Sequence, residues 1–156
     1  MAITSQVATV VAAFQKENPK AGKVELTGAD RTVEEELDFI LDPGRKGQYP
    51  VILKAFTSKF KVKELPSKKE MTPEQKKWCE KYIKDEAGKP PPNGHYAHVG
   101  GRAQDVSVKT LKKDDRQKLR DMLEKAGFEV TNEAISNKKS TYYVTIDAAT
   151  VFHVWK

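Results

Sequence analysis

The sequence predicts an α+β fold: a central, mostly antiparallel sheet with flanking helices, in a single domain. Three observations predict it. The 156 residues suit one domain that buries a core of its own. Helix-type apolar spacing with clear start and stop signals recurs along the chain. From Phe128 onward, short segments rich in strand-forming residues follow one another.

The elements follow in order. Thr4 or Ser5 caps a first helix running to about Phe14, with Val7, Val10, Val11 and Phe14 on one face. Lys23 to Thr27 reads as a short strand. Thr32 and Glu35 form a capping-box pattern that opens a second helix. It points Leu37, Ile40 and Leu41 inward and stops before Pro43-Gly44. Tyr49 to Phe60, with Val51-Ile52-Leu53, reads as a strand. Thr72 followed by Pro73 starts a helix, with Trp78, Cys79, Tyr82 and Ile83 as its inward stripe and Gly88 as its end. Lys89 to Gly94 carries three prolines and reads as a rigid loop. Ala103 to Val108 is a strand. Asp114 or Asp115 opens a helix with Leu119, Met122, Leu123 and Ala126 inward, ended by Gly127. Phe128–Thr131, Thr141–Asp147 and Thr150–Trp155 are the last three strands.

Composition narrows the function. Charged residues make up 32% of the chain and the net charge is +6, which favours polyanionic partners such as anionic cell-wall polymers. Nucleic acid has only this charge to support it, because no binding motif or aromatic-basic platform is present. No apolar run approaches the ~20 residues of a membrane span, and the N-terminus lacks the basic flank of a signal peptide. The expectation is a protein made in the cytoplasm that does not interact with membranes. Cys79 is the only cysteine, so neither an internal disulfide nor a thiolate zinc cluster can form. In a helix stripe beside Trp78 it reads as a packing residue, not a nucleophile.

Histidine occurs three times, at His95, His98 and His153. His98 begins the pattern His98-x-x-Gly101-Arg102-Ala103-x-Asp105. A loop histidine and a strand carboxylate converge if the chain folds back between them, and Gly100-Gly101 permits that turn. His153 lies in a strand that could sit opposite Asp105. Two histidines and a carboxylate leave one zinc position open, the arrangement of a catalytic site. The same spacing also serves a hydrogen-bonded His98–Asp105 pair that pins a loop to a strand. His95 reads as a surface residue or an extra ligand. Tyr96 and Trp155 read as core aromatics or as the wall of a groove.

His98-x-x-Gly101-Arg102-Ala103-x-Asp105-Val106, followed by a strand carrying His153, resembles the D-alanyl-D-alanine carboxypeptidase and L-alanoyl-D-glutamate endolysin family of zinc peptidases. The resemblance covers residues 49–156 and leaves 1–48 as an unassigned N-terminal helical segment. It implies a Zn2+ cofactor held by His98, Asp105 and His153. It also implies hydrolysis of an amide bond in the peptidoglycan stem peptide, as in phage endolysins, at the bacterial cell wall. Three departures stand out. Thr150 occupies the place of the family's acidic general base, three residues before the last histidine. Asp147 is the nearest replacement, with Glu129 and Glu133 as further candidates. The stretch Phe56-Thr57-Ser58-Lys59-Phe60-Lys61 stands in the place of the family's upstream arginine, so a lysine such as Lys59 is left to stabilise the oxyanion, and Tyr96 replaces a serine. These losses also fit a catalytically impaired relative that serves as a structural component of a phage particle, among other phage structural proteins.

Overall fold

In the computed structural model, residues 3–28, 31–45, 48–89, 96, 98–99, 101–136 and 139–156 are described. The elements are α1 (Ile3–Glu17), β1 (Glu25–Thr27), α2 (Val33–Leu41), α3 (Pro50–Phe60), α4 (Pro73–Ala87), β2 (Ala103–Ser107), α5 (Lys113–Lys125), β3 (Glu129–Ser136), β4 (Lys139–Tyr142) and β5 (Val151–Trp155). The five strands form one antiparallel sheet in the order β1-β2-β5-β3-β4, so the fold is α+β. The chain divides into two compact units. One comprises Met1–Asp30 and Gly100–Lys156, and the other Arg31–Val99. Residues 1–48 are thus shared between the units.

The first unit is the sheet with α1 and α5. Ile3, Val7, Val11 and Phe14 recur at intervals of three and four, so α1 presents one apolar stripe. Leu119 and Leu123 do the same on α5, while Ala126 lies exposed beyond its end. These stripes share a core with Val106, Val130, Phe152 and Val154, which alternate along β2, β3 and β5 and therefore lie on one sheet face. Asp114 and Asp115 fall in the first turn of α5, where negative charge opposes the helix dipole favourably. Arg120 braces the unit by donating to the Val130 carbonyl at 2.9 Å and to the Asn132 side chain.

The second unit is helical. Both capping boxes expected from the sequence form, Thr32 with Glu35 and Thr72 with Gln75. Glu36 is fully buried, accepting from Arg31 at 2.9 Å and from the Tyr49 hydroxyl at 3.0 Å. On α4, Cys79 and Ile83 are fully buried, whereas Trp78 and Tyr82 are half-buried in an aromatic cluster with Phe56 and Phe60.

Three expected strands differ. Tyr49–Phe60 is helical: Pro50 at the first helical position starts α3, and Ile52 and Phe56, four apart, form its buried stripe. Val51 and Leu53, counted as strand residues, project outward. The expected strand Thr141–Asp147 ends at Tyr142, because Tyr143 turns out of the β region with φ 59°. The strand begun at Phe128 instead runs on to Ser136 and pairs with β4 as a hairpin.

Core depth ranks the cost of truncation. Phe152→Ala should destabilise the sheet unit by about 3–5 kcal/mol. Trp78→Ala, which removes a half-buried ring, should cost about half as much. Urea denaturation of the two variants checks the ranking.

Candidate metal centre

Strand register builds the centre. Thr27 pairs with Asp105, Asp105 with His153, and His153 with Thr131. Directly opposed residues share a face, so these four side chains form a polar row across β1, β2, β5 and β3. It lies on the face away from α1 and α5. His153 and Thr131 are buried, and Asp105 is partly so.

His153 Nδ1 lies 2.9 Å from Asp105 Oδ1. With the proton on Nδ1 the ring donates to the carboxylate, which fixes its orientation. Trp155, two residues along the same face, leans on the imidazole at 5.1 Å between ring centroids. Its indole Nε1 is buried with no acceptor among the described residues.

Two residues that the sequence reading passed over shape the carboxylate's surroundings. Gly28 has φ +60°, and a Cβ there would come within 2.6 Å of Asp105 Oδ2. Only glycine supplies both the turn and the space. Gln104, 3% exposed, holds that turn. Its Nε2 donates to the Thr27 carbonyl at 2.5 Å and lies 3.3 Å from that of Gly28, while Thr4 Oγ1 donates to its Oε1 at 2.8 Å. The sequence signal for Gly28 was a glycine directly after a strand, but nothing in the sequence tied it to Asp105.

His98 is buried near the end of the second unit, where its carbonyl accepts the Arg31 N–H at 2.9 Å and Val99 bridges Arg31. Gly101 has φ 75°, the conformation expected of a glycine turn before β2. His95, Gly100 and residues 90–94 of the expected rigid loop lie outside the described residues. Tyr96 is core, and burial pushes its phenol up. His98, Asp105 and His153 make up a group that could hold a metal ion. The donor set fits the catalytic zinc pattern of two imidazoles and one carboxylate with a position left over. The space that Gly28 leaves beside Oδ2 is consistent with that fit.

The other candidates are spread over several elements. Asp147 sits in an exposed turn before β5, with Lys113 Nζ 3.4 Å from its carboxylate. Lys59 is exposed on the last turn of α3. Thr150 accepts the Ile135 N–H through Oγ1 at 3.0 Å, which ties the entry of β5 to β3. Glu129 is exposed and Glu133 is buried, both on β3. Burial pushes the Cys79 thiol up to about 11, so at neutral pH it stays protonated and unreactive.

Comparisons with protein-family models, with curated proteins and with solved structures gave no match.

Gly28→Ala should cost at least about 1–2 kcal/mol from its left-handed backbone alone, and should also displace the Asp105 carboxylate. A thermal melt, together with the His153 imidazole NMR signals, reads both effects. Cys79 in the native protein should resist iodoacetamide at pH 7 and react once the chain is unfolded, as followed by mass spectrometry.

Proposed function

We propose that this chain is a zinc-dependent peptidase that hydrolyses an amide bond in the peptidoglycan stem peptide. The observation that carries the reading is the grouping of His98, Asp105 and His153, whose ligand atoms lie within 4.8 Å of one another. Three such donors hold zinc and leave room for a further ligand, and a bound zinc ion there supplies Lewis acidity toward a carbonyl oxygen. Asp105 contributes the negative charge that favours a dication and orients His153. The half-buried Trp155 shields one side of the imidazole. The choice of substrate rests on the resemblance of His98-x-x-Gly101-Arg102-Ala103-x-Asp105 to the carboxypeptidase and endolysin family. The net charge of +6 suits an anionic cell wall. Among the described residues, no helix is long and apolar enough to cross a membrane.

A second reading has one observation in its favour: Thr150, in the place of the family's acidic base, has its hydroxyl engaged with the Ile135 N–H. On that reading the chain keeps the metal group and serves as a structural part of a phage particle.

The purified protein should carry about one zinc per chain. His98→Ala, Asp105→Ala and His153→Ala should each lose it, as measured by atomic emission with circular dichroism as the folding control. Zinc-loaded protein should release new amino groups from purified cell walls, and a chelator should stop the release. Full retention of zinc in all three variants rejects the ligand set. Bound zinc without any release of amino groups favours the structural reading.

A further inference from the structure

The longest stretch of this chain without an aspartate or glutamate, residues 43–63, contains Arg45, Lys46, Lys54, Lys59, Lys61 and Lys63. The last three crowd into the end of α3 and the turn after it, and all three are exposed. Among the described residues none of them forms an ion pair. Elsewhere in the same unit Lys68, Lys81 and Lys89 pair with Asp38, Asp85 and Glu86 at 2.9, 2.7 and 2.6 Å. Lys77 and Lys84 are unpaired too, but Glu74, Glu80 and Asp85 flank them along α4. A second observation is the backbone of Lys61. It closes α3 in the left-handed region, at φ 54° and ψ 45°, with its N–H donated to the Thr57 carbonyl. Glycine is the usual residue at that position, because a Cβ is strained there. The chain thus keeps a cation where the backbone alone favours glycine. The helix dipole accounts for a cation in the last turn, where Lys59 stands, but its field has faded at Lys63.

Resting on the cell-wall reading above, we infer that Lys59, Lys61 and Lys63 form a docking surface for an anionic wall polymer built of repeated phosphodiesters. The three cations lie within about 14 Å of chain even if it were fully extended, so they meet neighbouring phosphates of one polymer. A lysine ammonium is a compact charge on a flexible stem with three donors, which suits a flexible chain of singly charged groups. Binding releases counterions from the polymer and therefore weakens as salt rises. Nucleic acid fits the surface less well. Phe60, the aromatic residue of the segment, packs on Phe56 and Trp78 at 4.7 and 5.9 Å between ring centroids, so its ring is already engaged and is a poor platform for a base. A lipid surface fits less well too, because Val62, 39% exposed, is the one exposed large apolar side chain between Lys59 and Lys63.

The test measures binding of the full chain to poly(glycerol phosphate) by calorimetry over a range of salt concentrations, with circular dichroism as the folding control. Lys61→Gln/Lys63→Gln should bind roughly 10-fold or more weakly at ~0.1 M salt, with the slope of log affinity against log salt reduced by about one to two. Lys118→Gln/Lys125→Gln makes the same change of charge at two exposed, unpaired lysines of α5 and should bind as the wild type does. Lys61→Gly should melt no lower than the wild type yet bind more weakly, which a purely structural role for Lys61 does not produce. Equal losses in the two double variants mean that net charge alone is read, and overturn the surface. So does a Lys61→Gly protein of unchanged affinity. Tighter binding to a single-stranded oligonucleotide of equal charge, or to phosphatidylglycerol vesicles, overturns the choice of polymer. A wild-type protein that does not bind poly(glycerol phosphate) overturns the inference and leaves the peptidase reading standing. Binding at this surface without release of amino groups from cell walls sinks the peptidase and leaves the surface.

Discussion

Antiparallel pairing lets a residue on one strand choose which residues on its neighbours share its face, and β5 makes that choice for this sheet. With Asp105 and Thr131 both opposite His153, the side-chain alternation of three strands is set at once. A slip of one residue would send His153 into the apolar layer of Phe152 and Val154 and bring those two out. The burial of Phe152 and Val154 against α1 and α5 therefore also keeps the imidazole beside its carboxylate. Core packing and the polar row are two consequences of one register.

A polar row on a buried face has to satisfy its own hydrogen bonds, since each unmatched group costs roughly 1–3 kcal/mol. The sheet meets this locally. Asp105 accepts from His153, and Gln104, on the opposite face of the same strand, spends its amide on the turn that carries Gly28. The carboxylate is thus held from two directions, by the ring it orients and by the tight backbone turn beside it. The buried donor of Trp155 lies outside this local scheme, on the same sheet face as His153. That asymmetry sets the region apart from an ordinary sheet interior.

Much of the fold could be read from the sequence where one residue type acts through local geometry. Thr32 and Thr72 announce helix starts because capping needs only four consecutive residues. The periodic stripes of α1 and α5 are similarly self-contained. Val51-Ile52-Leu53 misled because β-branched residues favour strands only weakly, whereas Pro50 at a helix start and the Ile52–Phe56 spacing decide the outcome. The end of β4 at Tyr142 depends on a positive φ at a tyrosine, which composition does not reveal. At the candidate centre, the pairing of Asp105 with His153 followed from two strand patterns. Gly28 did not stand out, because its relation to that pair runs through a neighbouring strand and is fixed only by register. The division at Arg31 and Val99 left no trace in composition either, since both units draw on the same charged, lysine-rich surface.

The position of β5 in the chain has a consequence for how the protein is made. It is the last of the five strands in sequence and the middle one in space. Until residues 151–155 leave the ribosome, β1 and β2 can pair only with each other, as can β3 and β4, and each pair exposes an edge that β5 later fills. Closing the sheet then requires contacts between residues about fifty positions apart, which is slow compared with local hairpin formation. Nascent chains of this protein would pass through a stage with two open strand edges, the state in which chaperones most readily engage a polypeptide and in which crowding with other copies is most hazardous.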